Sequence, residues 1–245
     1  MSYFRYLAVL AYDGYNYYGF QRQDDLPTIE LELNEAFKKW LNEEIKIVGA
    51  GRTDRYVHAM GQVIHFDLNN EIDTSAIKKA LNSFLPLDIR IKEVSAVDPN
   101  FHARFSAKKK EYHYLINLRE NDVFRERYSS FYHGLDLNLM KEATSFLIST
   151  HNFKSFSSVH TNMLKDFTRT IYQIDIETKD DFIIFKFLGN GFLKYQVRRM
   201  MGLIIEIGKK RFPPKYLKEI LEKEDPRASQ YIAPGKGLYL YKVYY

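Results

Sequence analysis

Between Gly49 and Leu68 the sequence reads GAGRTDRYVHAMGQVIHFDL, and its one early carboxylate, Asp54, stands between two guanidiniums, Arg52 and Arg55. Positive neighbours favour the ionised form of an acid, so Asp54 is expected to be charged at neutral pH. That suits a nucleophile, or an anchor for a cationic group, better than a general acid. The same pattern fits a loop aspartate that caps a turn or pairs with a local arginine, and spacing does not separate the two. Gly49 and Gly51 are expected to permit backbone angles that a side chain would forbid. The chain has 7 histidines and no cysteine. No histidine pair has the spacing of a zinc site, so no structural or catalytic metal is expected. Lack of cysteine excludes disulfides and fits a cytoplasmic protein.

The elements around this loop follow from periodicity. Ile45 and Ile47 alternate with Lys46 before it, and Gln62 to Leu68 alternate after it, so the loop lies at a strand end. Residues 4–12 read as a first strand closed by Tyr12-Asp13-Gly14, followed by an aromatic, polar loop from Tyr15 to Gln23. Thr28 is placed to cap a helix running to Glu43, with Leu33, Phe37, Trp40 and Leu41 on its buried face. Asp73 or Thr74 caps a second helix carrying Ile77, Ala80, Leu81 and Phe84, which Pro86 stops. Ile89 to Val97 alternates as a strand. Strand, helix, strand, strand, helix, strand is the split βαβ order of a ferredoxin-like domain.

Pro99 to Ser106 reads as a connector, and Lys108 to Lys110 as a basic patch leading into a strand from Tyr112 to Leu118. A second half with similar parts follows. It has a helix from Leu137 to Ser149, a hairpin from Thr170 to Leu188 turning at Lys179-Asp180-Asp181, and a helix from Phe192 to Gly208. A shorter helix begins near Pro213, and GLYLYKVYY ends the chain as a strand. Neither a membrane span nor a secretory leader is expected. Lysine and arginine total 36 against 31 acids, a net charge of +5, and aromatics make up 16% with 19 Tyr and 18 Phe. A basic, aromatic protein suits a polyanion with unpaired bases, although a tyrosine-rich sheet core explains the aromatics equally well.

Five ordered stretches then carry a resemblance. GAGRTD with VHA, GQV and HF resembles the catalytic signature of the TruA family of tRNA pseudouridine synthases. YDGYNYYGFQRQ, FHARFSAKKKEYHYLI, NGFLKYQVRRMMG and RASQYIAPGKGLYLYKVYY resemble its other motifs, over most of the 245 residues. The resemblance implies an isomerase that converts a uridine within RNA to pseudouridine without cofactor or metal, acting on the tRNA anticodon stem-loop as a homodimer. It places the catalytic aspartate at Asp54, its basic partner at Arg198, and at Tyr112 the tyrosine that stacks on the uracil. Periodicity puts Tyr112 and Tyr114 on one strand face, and Arg199 is as charged as Arg198, so only the motif chooses between them. Arg52 is implied in extruding the target base, which costs about a few kcal/mol. Thr53, Arg55, Tyr56, Lys109 and Lys110 complete the expected RNA-binding set.

The fold expected is α/β, more narrowly α+β: two ferredoxin-like halves with mixed or antiparallel sheets, joined into one sheet around a central cleft. Residues 1–104 carry the catalytic loop, and 105–245 carry the tyrosine strand and basic helix. The sequence departs from the family pattern after RTD, where a small or basic residue and then glycine are usual and Arg55-Tyr56 stand instead. The loop could take a new path with activity kept, the RNA target could change to ribosomal or other RNA, or binding could survive without catalysis. Retention of Asp54, Tyr112 and Arg198 favours activity.

Overall fold

The computed structural model of the protein describes residues 3–158 and 166–245. The chain forms two compact units, residues 1–108 with 239–245, and 109–238.

In the first unit, strand β1 (Phe4–Tyr12) buries Tyr6, Ala8, Leu10 and Tyr12, every second residue, as the alternation predicts. Helix α1 (Ile29–Leu41) starts where the Thr28 hydroxyl accepts from Leu31 N–H, and buries Ile29, Leu33, Ala36 and Phe37. It stops two residues before the expected Glu43 because Asn42 takes the left-handed conformation, φ 56°, while its N–H still reaches Lys38 O. Full burial of Ile29, Leu33 and Phe37 is worth about 1.5–3 kcal/mol each, which outweighs any propensity term in so short a helix. Phe37 meets Phe66 edge-on at 4.8 Å. Strand β2 is only Val48–Gly49, and β3 (His58–Leu68) begins four residues before the predicted Gln62. Helix α2 (Thr74–Phe84) is capped by Asp73, whose carboxylate accepts from Ser75 and Ala76 N–H. Phe84, expected on its buried face, is exposed at the helix end. Strand β4 (Ile89–Ala96) completes the antiparallel order β4-β1-β3, with β2 antiparallel to β3. This is the ferredoxin-like order that the element sequence predicts.

In the second unit, β5 (Lys109–Asn117) starts earlier than predicted, so Lys109 and Lys110 are strand residues. Strand β6 (Ser130–Phe131) runs parallel to β5. Helix α3 (Leu137–Ser145) is shorter than expected, and Ser149–Asn152 forms strand β7 instead. The hairpin of β8 (Thr168–Lys179) and β9 (Phe182–Gly189) turns through Asp180 and Asp181, both at positive φ, as a tight turn between twisted strands requires. The antiparallel order is β5-β9-β8-β7. Helix α4 (Gln196–Gly208) begins four residues later than predicted because Tyr195 is left-handed, φ 67°. Only Arg198 and Arg199 on α4 are not buried. Gly202 permits the close approach of the 231–232 backbone, which a Cβ would meet at 2.7 Å. Helix α5 (Lys215–Glu222) follows Pro213 and Pro214.

The last strand, β10 (Leu238–Tyr244), pairs in parallel with β3, Tyr239 opposite His58 and Leu240 opposite Ala59. That pairing gives Tyr239–Tyr245 to the first unit, unlike the division of the chain into 1–104 and 105–245. Ten strands and five helices among the described residues make the fold mixed α/β. No described helix is long and apolar enough to cross a membrane.

Candidate active site

In the first unit the segment from Ala50 to Val57 is held by backbone and buried side chains, leaving Arg52 and Arg55 exposed. Ala50 N–H donates to Val63 O at 2.7 Å, and the amide of fully buried Gln62 donates to Gly51 O at 2.8 Å. Thr53 is buried, its hydroxyl hydrogen-bonded with that of Tyr12 at 2.9 Å, and its carbonyl accepts from Phe20 N–H at 3.1 Å. Burial pushes the Tyr12 phenol up to about 12, so it stays protonated and can serve this bond throughout the physiological range. Asp54, directly after this anchor, is half-buried, and its carbonyl accepts from Val57 N–H at 3.1 Å. Thr53 is thus an internal support, while Arg52 and Arg55 are exposed on either side of the aspartate.

The N-terminal loop 13–23 is packed against this segment at its glycines. A Cβ on Gly14 would lie 2.0 Å from Val57 O, and one on Gly19, which sits at φ 97°, would lie 2.5 Å from Thr53 O. Gly14 N–H also donates to Nδ1 of buried His58, whose ring stacks on Tyr239 at 4.7 Å. Gly49 is needed for proximity and not for its dihedrals: its φ is not positive, and the Phe20 ring would meet its Cβ at 2.7 Å. Spacing along the sequence did not single out Gln62, Gly19 or His58, because each acts through a partner distant in the chain.

Tyr56 stands at φ 67°, the left-handed region where glycine is unstrained. The loop therefore adopts a conformation suited to glycine in spite of the side chain. The ring is held by Tyr15 at 5.4 Å and by the Arg55 guanidinium at 4.5 Å, and that guanidinium also lies 4.1 Å from the Tyr18 centroid. Such cation–aromatic contacts are worth about 0.5–1 kcal/mol at exposed sites.

In the second unit the two tyrosines of β5 part company. Tyr114 is 0% exposed, with its hydroxyl bonded to Ser130 Oγ at 3.1 Å and to Pro234 O at 3.2 Å. Burial pushes its phenol well up, and its ring fills the space beside Gly237. Tyr112 is 8% exposed and meets the edge of Phe192 at 5.1 Å, near the strand's beginning. The arginines of α4 divide in the same way. Arg199 donates to Pro226 O at 2.6 Å and Ser229 O at 3.1 Å, and burial lowers its pKa. Arg198 donates through Nε to Ala233 O at 2.8 Å, and its guanidinium lies 5.4 Å from the Tyr195 centroid. Lys109 is exposed with its ammonium 5.3 Å from the Tyr172 ring, and Lys110 is half-buried.

Arg52, Thr53, Asp54, Arg55 and Tyr56 thus share one loop of the first unit, and Lys109, Lys110, Tyr112 and Arg198 belong to the second.

Comparison with known proteins gives this loop and these elements a context. The family model described as tRNA pseudouridine synthase matches residues 8–106 and 143–245. A protein of Exiguobacterium sp. named tRNA pseudouridine synthase A is 42% identical over 242 residues, covering 98% of each chain. A Geobacillus sp. protein of the same name is 42% identical over 244 residues, and tRNA pseudouridine synthase A 1 of Bacillus cereus is 41% identical over 244, each again covering 98% of both chains. By this near full-length agreement, the chain belongs to the TruA family of tRNA pseudouridine synthases.

Proposed function

We propose that this protein isomerises uridine to pseudouridine in the anticodon stem-loop of tRNA. The glycosidic N1–C1′ bond breaks, the uracil turns, and C5 bonds to C1′; C5 gives up its proton and N1 gains one, so the reaction balances without a cofactor. Asp54 is the nucleophile, attacking either the base or C1′. The Tyr112 ring stacks on the uracil and assists removal of the C5 proton, and Arg198 supplies the cation that keeps the carboxylate charged. Arg52 assists extrusion of the target base, which must leave its stack to be reached. Arg55, Tyr56, Lys109 and Lys110 bind the RNA, and Thr53 fixes the loop that carries Arg52, Asp54, Arg55 and Tyr56. The enzyme works in the cytoplasm as a homodimer.

The observation that carries this reading is the match to tRNA pseudouridine synthases over 98% of the chain. The burial of Tyr114 and the engagement of Arg199 with the 226–229 segment support the choice of Tyr112 and Arg198. The test is pseudouridine mapping on RNA from cells with and without the gene, repeated with Asp54→Asn. Disappearance of anticodon-arm sites in both strains, with tRNA affinity kept in the variant, is the expected result. Sites missing only from ribosomal RNA would move the substrate, and an unchanged map would leave an RNA-binding protein without this activity.

A further inference from the structure

The turn from Phe101 to Ser106 holds a large apolar ring out in water. Phe105 is 76% exposed, yet the backbone beneath it is fixed on several sides. Ala103 N–H donates to His65 Nδ1 at 3.1 Å, and the Tyr245 hydroxyl donates to Ala103 O at 2.7 Å. His102 N–H donates to Ser106 Oγ at 3.0 Å, and His102 Nδ1 accepts from the N–H groups of Arg104 and Phe105 at 3.1 and 3.3 Å. The His102 ring backs Phe105 with centroids 4.3 Å apart and planes 34° apart, and the Arg104 guanidinium lies 5.6 Å from the Phe105 centroid. Leaving a phenyl group in water forgoes about 1.5–3 kcal/mol of burial, and a fixed turn prevents the ring from recovering it locally. A rigid exposed ring loses little entropy on binding.

The surroundings select the partner. No acidic residue lies between Asp98 and Glu111, while Arg104 and Lys108 in the first unit are both exposed cations. An aromatic face with an adjoining guanidinium, and an exposed lysine three residues further along the chain, fits a nucleotide, whose base stacks and whose phosphate is anionic. We propose that Phe105, backed by His102, is a stacking platform for an unpaired base of the RNA substrate, with Arg104 and Lys108 holding the adjoining phosphates. This rests on the function proposed above and adds an RNA-binding surface outside the loop of Asp54.

The experiment measures tRNA affinity by anisotropy, together with initial rates of pseudouridine formation, for Phe105→Ala, Phe105→Leu, Phe105→Trp and Arg104→Gln. Phe105→Ala should raise Kd and KM at least about fivefold, the equivalent of ~1 kcal/mol for one stacked base at 1.4 kcal/mol per tenfold, with kcat and the melting temperature kept. Phe105→Trp should restore affinity and Phe105→Leu should not. Arg104→Gln should reduce the slope of log affinity against log salt by about 0.7–0.9. Wild-type affinity in Phe105→Ala, equal binding by the Leu and Trp variants, or a changed oligomeric state in place of changed RNA affinity would each overturn the platform while leaving the enzyme's function standing. A wild-type protein that binds no tRNA overturns both.

Discussion

Tyr56 carries a side chain at φ 67°, where crowding of Cβ against the backbone costs about 1–2 kcal/mol. Its ring contacts with Tyr15 and Arg55 offset part of this. The two contributions can be separated by substitution. Tyr56→Ala keeps most of the backbone penalty and removes the ring, whereas Tyr56→Gly removes both, so the glycine variant should be more stable than the alanine variant by about 1 kcal/mol in urea unfolding. Equal stabilities would mean that the loop relaxes out of the left-handed region when the ring is removed. The tyrosine pair on β5 invites a parallel comparison. Tyr114→Phe leaves Ser130 Oγ and Pro234 O without that hydroxyl and should cost about 1–2 kcal/mol of stability with kcat unchanged. Tyr112→Phe should lower kcat. If Tyr114→Phe reduced kcat at unchanged stability, the assignment would have to pass to Tyr114.

At the scale of elements, β3 and the 101–106 turn are coupled through His65. Its burial, reinforced by the Arg5 charge and by His102, lowers its pKa from 6.5 to about 4. The unfolded chain therefore takes up this proton at a higher pH than the folded one. The corresponding stability is fully present above pH 6.5 and is lost as the pH falls from 6.5 to about 4, by about 2–3 kcal/mol. His113, whose pKa is also lowered by burial, acts in the same direction. Replacing His65 with Asn keeps an acceptor for Ala103 N–H without a titrating ring. His65→Asn should flatten the unfolding free energy over that window, with His113 leaving a residual slope. An unchanged slope would remove His65 as its source. Helix α4 presents a packing counterpart: Gly202→Ala places a Cβ 2.7 Å from the 231 backbone, and moving that segment should cost about 1–3 kcal/mol. Thermal unfolding of that variant measures it.

For the molecule as a whole, a charge of +5 is modest for a protein that handles a polyanion. Affinity must then come from placed cations more than from bulk attraction. Removing one cation from a phosphate should change the salt slope by about 0.7–0.9, so Lys109→Gln and Lys110→Gln should each flatten it by that amount while uridine specificity is kept. A slope unaltered by both changes would exclude these two lysines from phosphate binding. Since a phosphate clamp holds the RNA backbone equally before and during the bond-breaking step, kcat at saturating tRNA should be retained.

Much of this was written in the sequence. Alternation fixed β1, β4 and β10, because a half-buried strand sorts its residues by face. Thr28 announced the start of α1, and Asp73 or Thr74 that of α2, which the structure gives to Asp73, because a cap is a bond between residues two or three apart. Flanking arginines pointed to Asp54 as a charged carboxylate, whereas the proposed choice of Tyr112 and Arg198 rests on motifs, since spacing left Tyr114 and Arg199 equally eligible. Tertiary structure encloses Tyr114 beside Gly237 and binds Arg199 to carbonyls from residues 226 and 229, while Tyr112 is also buried and Arg198 also donates to Ala233 O. It likewise ended β2 after two residues, began β3 at His58, and returned Tyr239–Tyr245 to the first unit. Local sequence determines what a backbone can do over a few residues, whereas a carbonyl some 30 positions away or a strand arriving from the far end of the chain is decided only when the pieces meet.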